Sequence, residues 1–252
     1  MIYSSLKKFT KRLLPESLLY SVEPTLRKLF AVSYKGNNVH CPVCERNFIR
    51  FILLENGRDS LCPACGALPR NRLLWLYLKQ EVKIESRNMK VLHFSPSRSL
   101  LRKLKKLENL NYTSTDFETS RADKRHDITN IHEPDNIYDL IICYHVLEHI
   151  PDDAKAMHEL YRILKPGGKA LLQVPLKEGG TYEDSSITSK EERLKHFGQD
   201  DHVRIYGKED FPFRLKQAGF KVTVTEYAKQ LGEKEIEQFG LWKDEKIFVC
   251  TK

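Results

Sequence analysis

The sequence predicts an α/β protein in which a small four-cysteine zinc ribbon precedes a mostly parallel sheet. Two Cys-x-x-Cys pairs lie between residues 41 and 65, and strand patterns alternate with helix patterns from residue 90 onwards. Such alternation is typical of βαβ units, whose strands run parallel. With 252 residues, 40% of them hydrophobic and 30% charged, the chain suits one or two folded domains and is unlike a disordered or collagen-like protein.

We divide the chain into a basic helical segment (1–38), a zinc-ribbon module with a linker helix (39–87) and an α/β domain (88–252). The first 35 residues carry seven basic and two acidic side chains, which is five of the eight net positive charges. Apolar residues between these lysines recur at helical spacing, at Leu6, Phe9, Leu13 and Leu14. We favour docking of this amphipathic helix on its own domain. The alternatives are peripheral contact of residues 1–35 with an anionic membrane, or binding of a nucleic acid.

The sequence shows no run of about 18 apolar residues and no signal-peptide pattern, so we expect a cytoplasmic protein. Four of its cysteines form the pattern Cys41-x2-Cys44-x17-Cys62-x2-Cys65, which is the spacing of a two-knuckle zinc ribbon. An apolar run, a turn at residues 56–57 and a return strand predict a connecting hairpin. Four thiolates close the coordination shell, so the predicted Zn²⁺ is structural. The alternatives are a redox pair and a catalytic zinc.

The α/β domain contains strand and helix patterns in a regular order. They are KVLHF, SLLRKLKKLENL, NYTSTDF, YDLIICYHV, DDAKAMHELYRILKPGG, KALLQVPL, DFPFRLKQAGF, KVTVTEYA and KIFVC. The clearest helix follows Pro151, since Ala154 to Leu164 place their apolar side chains on one face and two aspartates lie at its positive end. Pro166-Gly167-Gly168 predicts its end.

The segment 138–176 resembles the class I S-adenosylmethionine-dependent methyltransferases. It contains an apolar strand opened by Asp139, the sequence Glu148-His149-Ile150 at the end of that strand, a helix running into LKPGG, and a strand ending in Val-Pro. The resemblance covers about residues 88–252 and leaves the ribbon outside. It implies an enzyme with a Rossmann-like seven-stranded sheet, which binds S-adenosylmethionine across the carboxyl ends of its first strands.

The resemblance also implies which residues bind the cofactor. His93, Ser95 and Ser97 occupy the position of the family's glycine-rich loop, where the family has an acidic residue followed by glycines. Serines are small and can cap the following helix.

Two acidic residues match the family's contacts to the nucleoside. Asp116 matches the residue that accepts hydrogen bonds from the ribose hydroxyls, and Asp127 matches the residue at the adenine amino group, with Ile128 packing on the ring. Asp123 is an alternative to Asp127. Tyr144, at the end of the fourth strand, lies beside the expected methyl group.

Two histidines follow that strand four residues apart, so His145 and His149 share a face if the chain is helical there. A histidine that titrates near neutrality can remove the proton of a methyl acceptor, which makes both candidates for catalysis. The alternative for His149 is that it and Glu148 tie the loop to neighbouring backbone. In small-RNA and ubiquinone-pathway O-methyltransferases an E-x-x-E-H form of this segment binds a divalent metal. Here His145 replaces the first glutamate, and we disfavour such a site at Glu148 and His149.

A long polar stretch, 177–207, lies where the family places substrate-recognition insertions. We predict that Asp201 and His202 form a base with its orienting carboxylate, and that Arg204 binds an anionic group of the substrate. His196 and Tyr206 are the other predicted substrate contacts. The alternative is a solvated surface loop.

We therefore predict methyl transfer to an oxygen or nitrogen of a polar small molecule, with a sugar or glycan precursor as the leading example. His145 and His202 are the candidates for the base. One alternative is an RNA methyltransferase that grips RNA with the ribbon and the basic N-terminus. The other is a catalytically degenerate methyltransferase fold that binds a partner, a hypothesis that the missing glycines favour.

Overall fold

The structure, a computed structural model, describes residues 16–55, 57, 60–117 and 122–252. The predicted basic helix with Leu6, Phe9, Leu13 and Leu14 lies outside these residues. The described residues divide into two compact units. The first unit contains the residues up to Val82, Ser97–Lys103 and Tyr227–Glu245, and the second contains Lys83–Pro96, Leu104–Glu226 and Lys246–Lys252.

The helices and strands follow one another in this order: α1 (Glu16–Ala31), β1 (Lys35–Cys41), β2 (Arg46–Phe48), β3 (Ile52–Leu53), β4 (Ser60–Leu61), α2 (Pro69–Tyr77), β5 (Met89–Phe94), α3 (Arg98–Leu104), β6 (Leu110–Asp116), β7 (Lys124–Arg125), β8 (Tyr138–Tyr144), α4 (Asp153–Ile163), β9 (Leu164–Gln173), β10 (Leu176–Lys177), β11 (Tyr182–Glu183), α5 (Lys190–Phe197), β12 (Arg204–Gly207), α6 (Asp210–Gln217), β13 (Lys221–Thr225), α7 (Tyr227–Leu231), α8 (Glu233–Phe239) and β14 (Ile247–Thr251). Short 3-10 turns cover Val32–Tyr34 and Leu147–His149, and a π turn covers Leu78–Val82. No helix in the described ranges has both the length and the apolar character needed to cross a bilayer.

The first unit contains two antiparallel hairpins, β1 with β2 and β3 with β4. Gly57 lies in the turn between β3 and β4 with a φ of +67°, a backbone conformation that glycine adopts without strain. Its N–H donates to the carbonyl of Leu54 at 3.0 Å. The predicted hairpin between the cysteine pairs is thus present, although its other turn residue, Asn56, is not among the described residues.

Arg72 lies at the centre of the first unit, on α2, with no exposed surface. Its Nε donates to the carbonyl of Phe239 at 2.6 Å, and Nη1 donates to the carbonyls of Ser60 and Ala67 at 2.9 and 2.6 Å. Its Nη2 donates to Ser60 Oγ at 2.9 Å and to the carbonyl of Gly240 at 2.6 Å. All five guanidinium N–H groups are therefore satisfied by protein, which is what a buried cation requires.

The second unit is built on a seven-stranded sheet with the strand order β13-β14-β9-β8-β5-β6-β7. The strands β7, β6, β5, β8 and β9 pair with one another in parallel, and β14 pairs antiparallel with both β9 and β13. The central strands β5 and β8 are apolar almost throughout because both faces of a parallel sheet are covered. This confirms the predicted Rossmann-like seven-stranded sheet.

The clearest predicted helix, α4, ends one residue earlier than its apolar pattern. The side chain of Asp152 caps it by accepting the N–H of Lys155 at 3.0 Å. Leu164 instead begins β9 and pairs with Tyr138, and the register then shifts before Leu140. Gly167, with a φ of +75°, lies in this irregular part of the strand. The PGG sequence therefore forms a bulge inside a strand, because β8 offers hydrogen bonds on both sides of it.

The stretch 177–207 is folded, although its composition predicts a loop. It contains β11, α5 and β12, and β12 lies between β10 and β11 in a separate three-stranded sheet. Gly207 is required here, since a Cβ atom on it would lie 2.3 Å from the carbonyl oxygen of Gly179. The three strands were not predicted because they are only two to four residues long and largely polar.

Candidate functional site

A cavity of about 610 Å³ opens at the carboxyl ends of β5, β6 and β8 in the second unit. Open α/β sheets bind ligands at this edge, where side chains from several strands and loops converge. The lining residues are Phe94, Ser95, Asp116, Phe117, His126, Asp127, Ile128, Thr129, His145, Val146, His149, Ile150, Pro151 and Asp201.

Two residues of the cavity wall have left-handed backbone conformations. Ser95 follows β5 with a φ of +41°, and His145 follows β8 with a φ of +55°. The Ser95 N–H donates to the carbonyl of Thr115 at 2.8 Å, and the His145 N–H donates to the carbonyl of Gln173 at 2.8 Å. These bonds hold both turns against the neighbouring strand. Because left-handed backbone is unfavourable outside glycine, such strain concentrates where a site requires a particular loop shape.

The two predicted nucleoside contacts meet in this cavity. Asp116 ends β6, and Asp127 follows β7 and accepts the N–H and the hydroxyl of Thr129 at 2.8 Å each. These two hydrogen bonds lower the pKa of Asp127. Ile128, 5% exposed, lies beside it on the wall. The alternative, Asp123, instead accepts the N–H and hydroxyl of Ser114 at 2.9 and 2.7 Å and is not part of the wall.

The other three predicted cofactor residues lie away from the wall. His93 is buried within β5, with its Nδ1 3.1 Å from the hydroxyl of Tyr112, and burial lowers its pKa to about 3. Ser97 belongs to the first unit, where its Oγ lies 3.2 Å from that of Ser99. Tyr144 ends β8 without lining the cavity. Of the predicted loop residues, the structure therefore places only Ser95 at this wall.

The predicted catalytic histidines form pairs that differ from the expected ones. His145 Nδ1 lies 3.1 Å from Glu148 Oε1, and His149 Nδ1 lies 3.3 Å from Asp201 Oδ2. The 3-10 turn after β8 covers Leu147–His149 and does not include His145, so the two histidines do not share a helix, although both line the cavity. The predicted Asp201–His202 pair does not form, because Asp201 lines the cavity whereas His202 is 3% exposed and does not.

The predicted substrate contacts Arg204 and Tyr206 are buried in β12 and engaged by protein atoms. Arg204 Nε donates to Glu183 Oε2 at 2.7 Å, and its Nη2 donates to the carbonyl of Pro151 at 2.8 Å. The Tyr206 hydroxyl donates to Asp153 Oδ2 at 2.7 Å. In the structure both side chains therefore connect β12 to the segment from Pro151 to Asp153, and a contact of either residue with substrate stays a prediction. His196 lies 2.7 Å from the hydroxyl of Tyr182, through its Nδ1, and does not line the cavity.

The sequence did not identify several of the residues that line the cavity. Phe94, Phe117, Val146 and Ile150 supply apolar surface, and His126 adds a largely buried ring whose pKa burial lowers. The available clue was that they lie at or shortly after the carboxyl ends of β5, β6, β7 and β8, since loops at that edge carry ligand contacts.

The four predicted zinc ligands converge in the first unit. The Sγ atoms of Cys41 and Cys65 are 3.7 Å apart, as are those of Cys44 and Cys62. All four sulfurs lie within 4.8 Å of one another. Sulfurs about 2.3 Å from one tetrahedral ion stand about 3.8 Å apart, so the cluster fits a Zn²⁺ ion.

Each cysteine pair forms the same turn. The N–H of Glu45 donates to the carbonyl of Cys41 at 2.8 Å, and the N–H of Gly66 donates to that of Cys62 at 3.0 Å. Both donors have a positive φ, +58° and +76°. The repeated turn presents the two pairs of sulfurs in the same way.

Two curated plant proteins are similar to part of this chain. Phosphoethanolamine N-methyltransferase 1 of Zea mays is 30% identical over 124 residues, which are 47% of this chain and 23% of that protein. The Arabidopsis thaliana protein of the same name is 32% identical over 114 residues, or 45% of this chain and 20% of that protein. The chain thus spans less than a quarter of the length of these curated relatives.

Solved structures with a similar fold include phosphoethanolamine N-methyltransferase 2 of Haemonchus contortus in complex with phosphomonomethylethanolamine and S-adenosylhomocysteine. It is 16% identical with a TM-score of 0.48, covering 72% of this chain and 53% of that one. An S-adenosylmethionine-dependent methyltransferase of Mesorhizobium loti is 15% identical with a TM-score of 0.47, covering 71% and 96%. The family model described as methyltransferase domain matches residues 72–225, more than half of the chain. With its seven-stranded Rossmann-like sheet, the chain belongs to the methyltransferase domain family, as a class I member.

Proposed function

We propose that the protein transfers a methyl group from S-adenosylmethionine to an oxygen or nitrogen atom of a polar small molecule. The observation that carries this proposal is the cavity itself. Ser95, Asp116 and Asp127 come from three different strand ends and line one space of about 610 Å³. Pockets of about 300–1,000 Å³ are typical for ligands of cofactor size.

In this proposal the two carboxylates bind the nucleoside. Asp116 accepts hydrogen bonds from the ribose hydroxyls, and Asp127, already fixed by Thr129, accepts one from the adenine amino group. Ile128 packs on the base. When bound, the cofactor supplies a methyl group on a sulfonium, a leaving group that needs no further activation.

His145 is the proposed base. In this proposal Glu148 Oε1 accepts the proton of Nδ1, which leaves Nε2 with its lone pair; Nε2 is buried and has no hydrogen-bond partner among the described residues. With the cofactor bound, His145 Nε2 would take the proton that the acceptor loses on methylation. Alignment of donor and acceptor and removal of this proton are the protein's contributions.

Ionisable side chains on the wall support a polar acceptor. His149 and Asp201 lie at the cavity beside His145 and offer hydrogen bonds to hydroxyl or amino groups. A sugar-containing acceptor is one candidate. A phosphorylated amine is the second, since the similar plant proteins are named for phosphoethanolamine. Transfer of labelled methyl groups to nucleotide sugars, phosphoethanolamine and tRNA distinguishes these acceptors from an RNA substrate.

We also propose that the four cysteines bind one structural Zn²⁺ ion. The tetrahedral spacing of the sulfurs supports this, and such an ion stabilises the folded state of its module because the unfolded chain lacks the site.

Calorimetric titration with S-adenosylmethionine and S-adenosylhomocysteine tests the cofactor site. We expect micromolar binding by the native protein and binding about 10- to 100-fold weaker for Asp116→Ala, since hydrogen bonds to a charged group contribute about 1.5–3 kcal/mol. Asp200→Ala, an exposed carboxylate outside the cavity wall, is the matched control. Absence of binding by the native protein, or equal binding by Asp116→Ala, would overturn the proposal and favour a degenerate binding module.

A further inference from the structure

Three potential metal ligands converge at the cavity wall, which His149 lines and behind which Glu148 and His202 are buried. A carboxylate oxygen of Glu148 and one ring nitrogen each of His149 and His202 lie within 4.8 Å of one another. Glu148 and His149 come from the 3-10 turn after β8, and the N–H of Val203 donates to the carbonyl of Glu148 at 2.9 Å, which brings His202 to the same place. The rings of His149 and His202 have centroids 4.7 Å apart and are nearly perpendicular.

Two of these side chains are buried with unsatisfied polar atoms. Glu148 has no exposed surface, and while its Oε1 pairs with His145, its Oε2 has no hydrogen-bond partner among the described residues. His202 is 3% exposed, and its Nδ1 likewise has no partner in the part of the chain that the structure describes. An unsatisfied buried polar atom costs about 1–3 kcal/mol, so such atoms in a folded protein point to a missing partner.

Although the sequence alone disfavoured a metal at Glu148 and His149, the approach of His202 adds a third ligand, and we propose that Glu148, His149 and His202 bind a divalent transition-metal ion, with Mn²⁺ as the representative ion. Two imidazoles and one carboxylate form a donor set that suits first-row transition metals better than Mg²⁺ or Ca²⁺, which prefer oxygen ligands. Such a set leaves coordination positions open. Donor atoms about 2.1 Å from one ion stand about 3.0–3.4 Å apart, so rotation of the side chains has at most about 1.8 Å to close.

Asp201 supports this arrangement from outside the ligand set. Its Oδ2 lies 3.3 Å from Nδ1 of His149, which leaves Nε2 of that ring for the ion. A carboxylate that holds the second nitrogen of a ligand histidine fixes the orientation of its ring. His149 and Asp201 line the cavity, so an ion held by His149 would lie next to the space that the acceptor would occupy.

This position has a consequence for the acceptor that rests on the proposed function. An ion with neighbouring open positions favours an acceptor with two adjacent oxygen atoms, which can occupy both. The metal site itself depends only on the three side chains and stands whether or not methyl transfer occurs.

The test uses the full chain, with the four-cysteine site first loaded with Zn²⁺ so that added Mn²⁺ does not enter it. Mn²⁺ is titrated in, and free Mn²⁺ is measured by electron paramagnetic resonance. We expect one bound Mn²⁺ per chain, with affinity lowered at least tenfold in Glu148→Gln and in His202→Gln. His158→Gln is the matched control, because His158 lies exposed on α4 and its Nδ1 contacts only the carbonyl of Ala154 in the described structure.

No Mn²⁺ binding at millimolar concentration, or equal affinity in the native protein and both variants, would overturn the proposal. Water would then be the hydrogen-bond partner of the buried atoms. If His202→Gln fails to fold by circular dichroism, Asp201→Asn replaces it. The exposed carboxylate of Asp201 orients the ring of His149, so its replacement is expected to weaken Mn²⁺ binding about 10-fold or more. Titration of the same samples with S-adenosylmethionine separates the two proposals: Mn²⁺ binding without cofactor binding refutes the proposed function alone.

Discussion

Oε1 of Glu148 lies 3.1 Å from Nδ1 of His145, three residues earlier in the chain. Glu148 is fully buried, whereas His145 lines the cavity, so a carboxylate behind the wall fixes the tautomer and orientation of a ring at its surface. The left-handed backbone of His145 turns the side chain out of the line of β8. This pair is the arrangement that a general base requires.

We expect His145→Gln to lower kcat about 10²- to 10⁴-fold, the range that loss of a general base produces, with cofactor affinity unchanged. Single-turnover transfer of labelled methyl groups measures the first quantity, and calorimetry measures the second. A variant with native kcat would show that another group accepts the proton. His158→Gln should behave as the native protein does in both measurements.

Ser95 has a φ of +41°, in the region where related loops use glycine. Ser95→Gly should leave cofactor affinity unchanged and raise the free energy of unfolding by about 0.5–1 kcal/mol, since glycine adopts this backbone with less strain. Urea denaturation measures the change. Ser99→Gly is the comparison, because glycine in α3 should lower stability by about 0.5 kcal/mol. Destabilisation by Ser95→Gly would mean that the serine side chain itself is needed.

Arg72→Lys should lower the free energy of unfolding by about 3 kcal/mol or more. A lysine retains the charge, but it offers three donors in place of five, so buried carbonyls of the first unit lose their hydrogen bonds. Chemical denaturation monitored by circular dichroism measures the loss. Arg50→Lys, at an exposed position, should change stability by less than about 0.5 kcal/mol. Equal effects would show that Arg72 does not stabilise the unit.

Burial lowers the pKa of His93 from 6.5 to about 3. The unfolded chain therefore binds a proton that the folded protein does not, and stability falls as the pH falls between these two values. The slope contributed by this residue approaches about 1.4 kcal/mol per pH unit. Denaturation of the native protein and of His93→Gln between pH 4 and 7 should show a shallower dependence in the variant. Parallel curves would contradict the prediction.

Native protein should contain about one Zn²⁺ per chain, and Cys62→Ser should lose it together with the fold of the first unit. Elemental analysis and circular dichroism measure both changes. Cys250→Ser removes a buried cysteine in β14, outside the cluster, and should retain the metal. A folded, metal-free native protein would refute the zinc proposal.

Features fixed by local patterns were predictable from the sequence. The cysteine turns follow from ligand spacing, and the parallel sheet follows from the alternation of strands and helices. Asp116 and Asp127 reach the cavity because Asp116 ends β6 and Asp127 lies two residues after β7, and the carboxyl ends of these neighbouring strands meet at one edge of the sheet.

Contacts between distant parts of the chain were not predictable. Arg72 donates to the carbonyls of Phe239 and Gly240 only because of how the helices and strands pack. The same holds for the approach of Glu148 to His202. The adjacent residues Asp201 and His202 are chemically suited to act together. Neighbouring side chains outside a helix point to different sides of the backbone, however, and here one reaches the cavity while the other is buried.

The last two segments of the structure belong to different units, Tyr227–Glu245 to the first and Lys246–Lys252 to the second. Strand β14 lies between β9 and β13, and the carbonyls of Phe239 and Gly240 receive the Arg72 side chain. On the ribosome, neither unit can be completed until these segments have been synthesised. In a nascent chain that stops short of them, the edge of β9 that β14 covers is unpaired, and another chain can add to it. We therefore expect this protein to be prone to aggregation in the interval before these segments emerge.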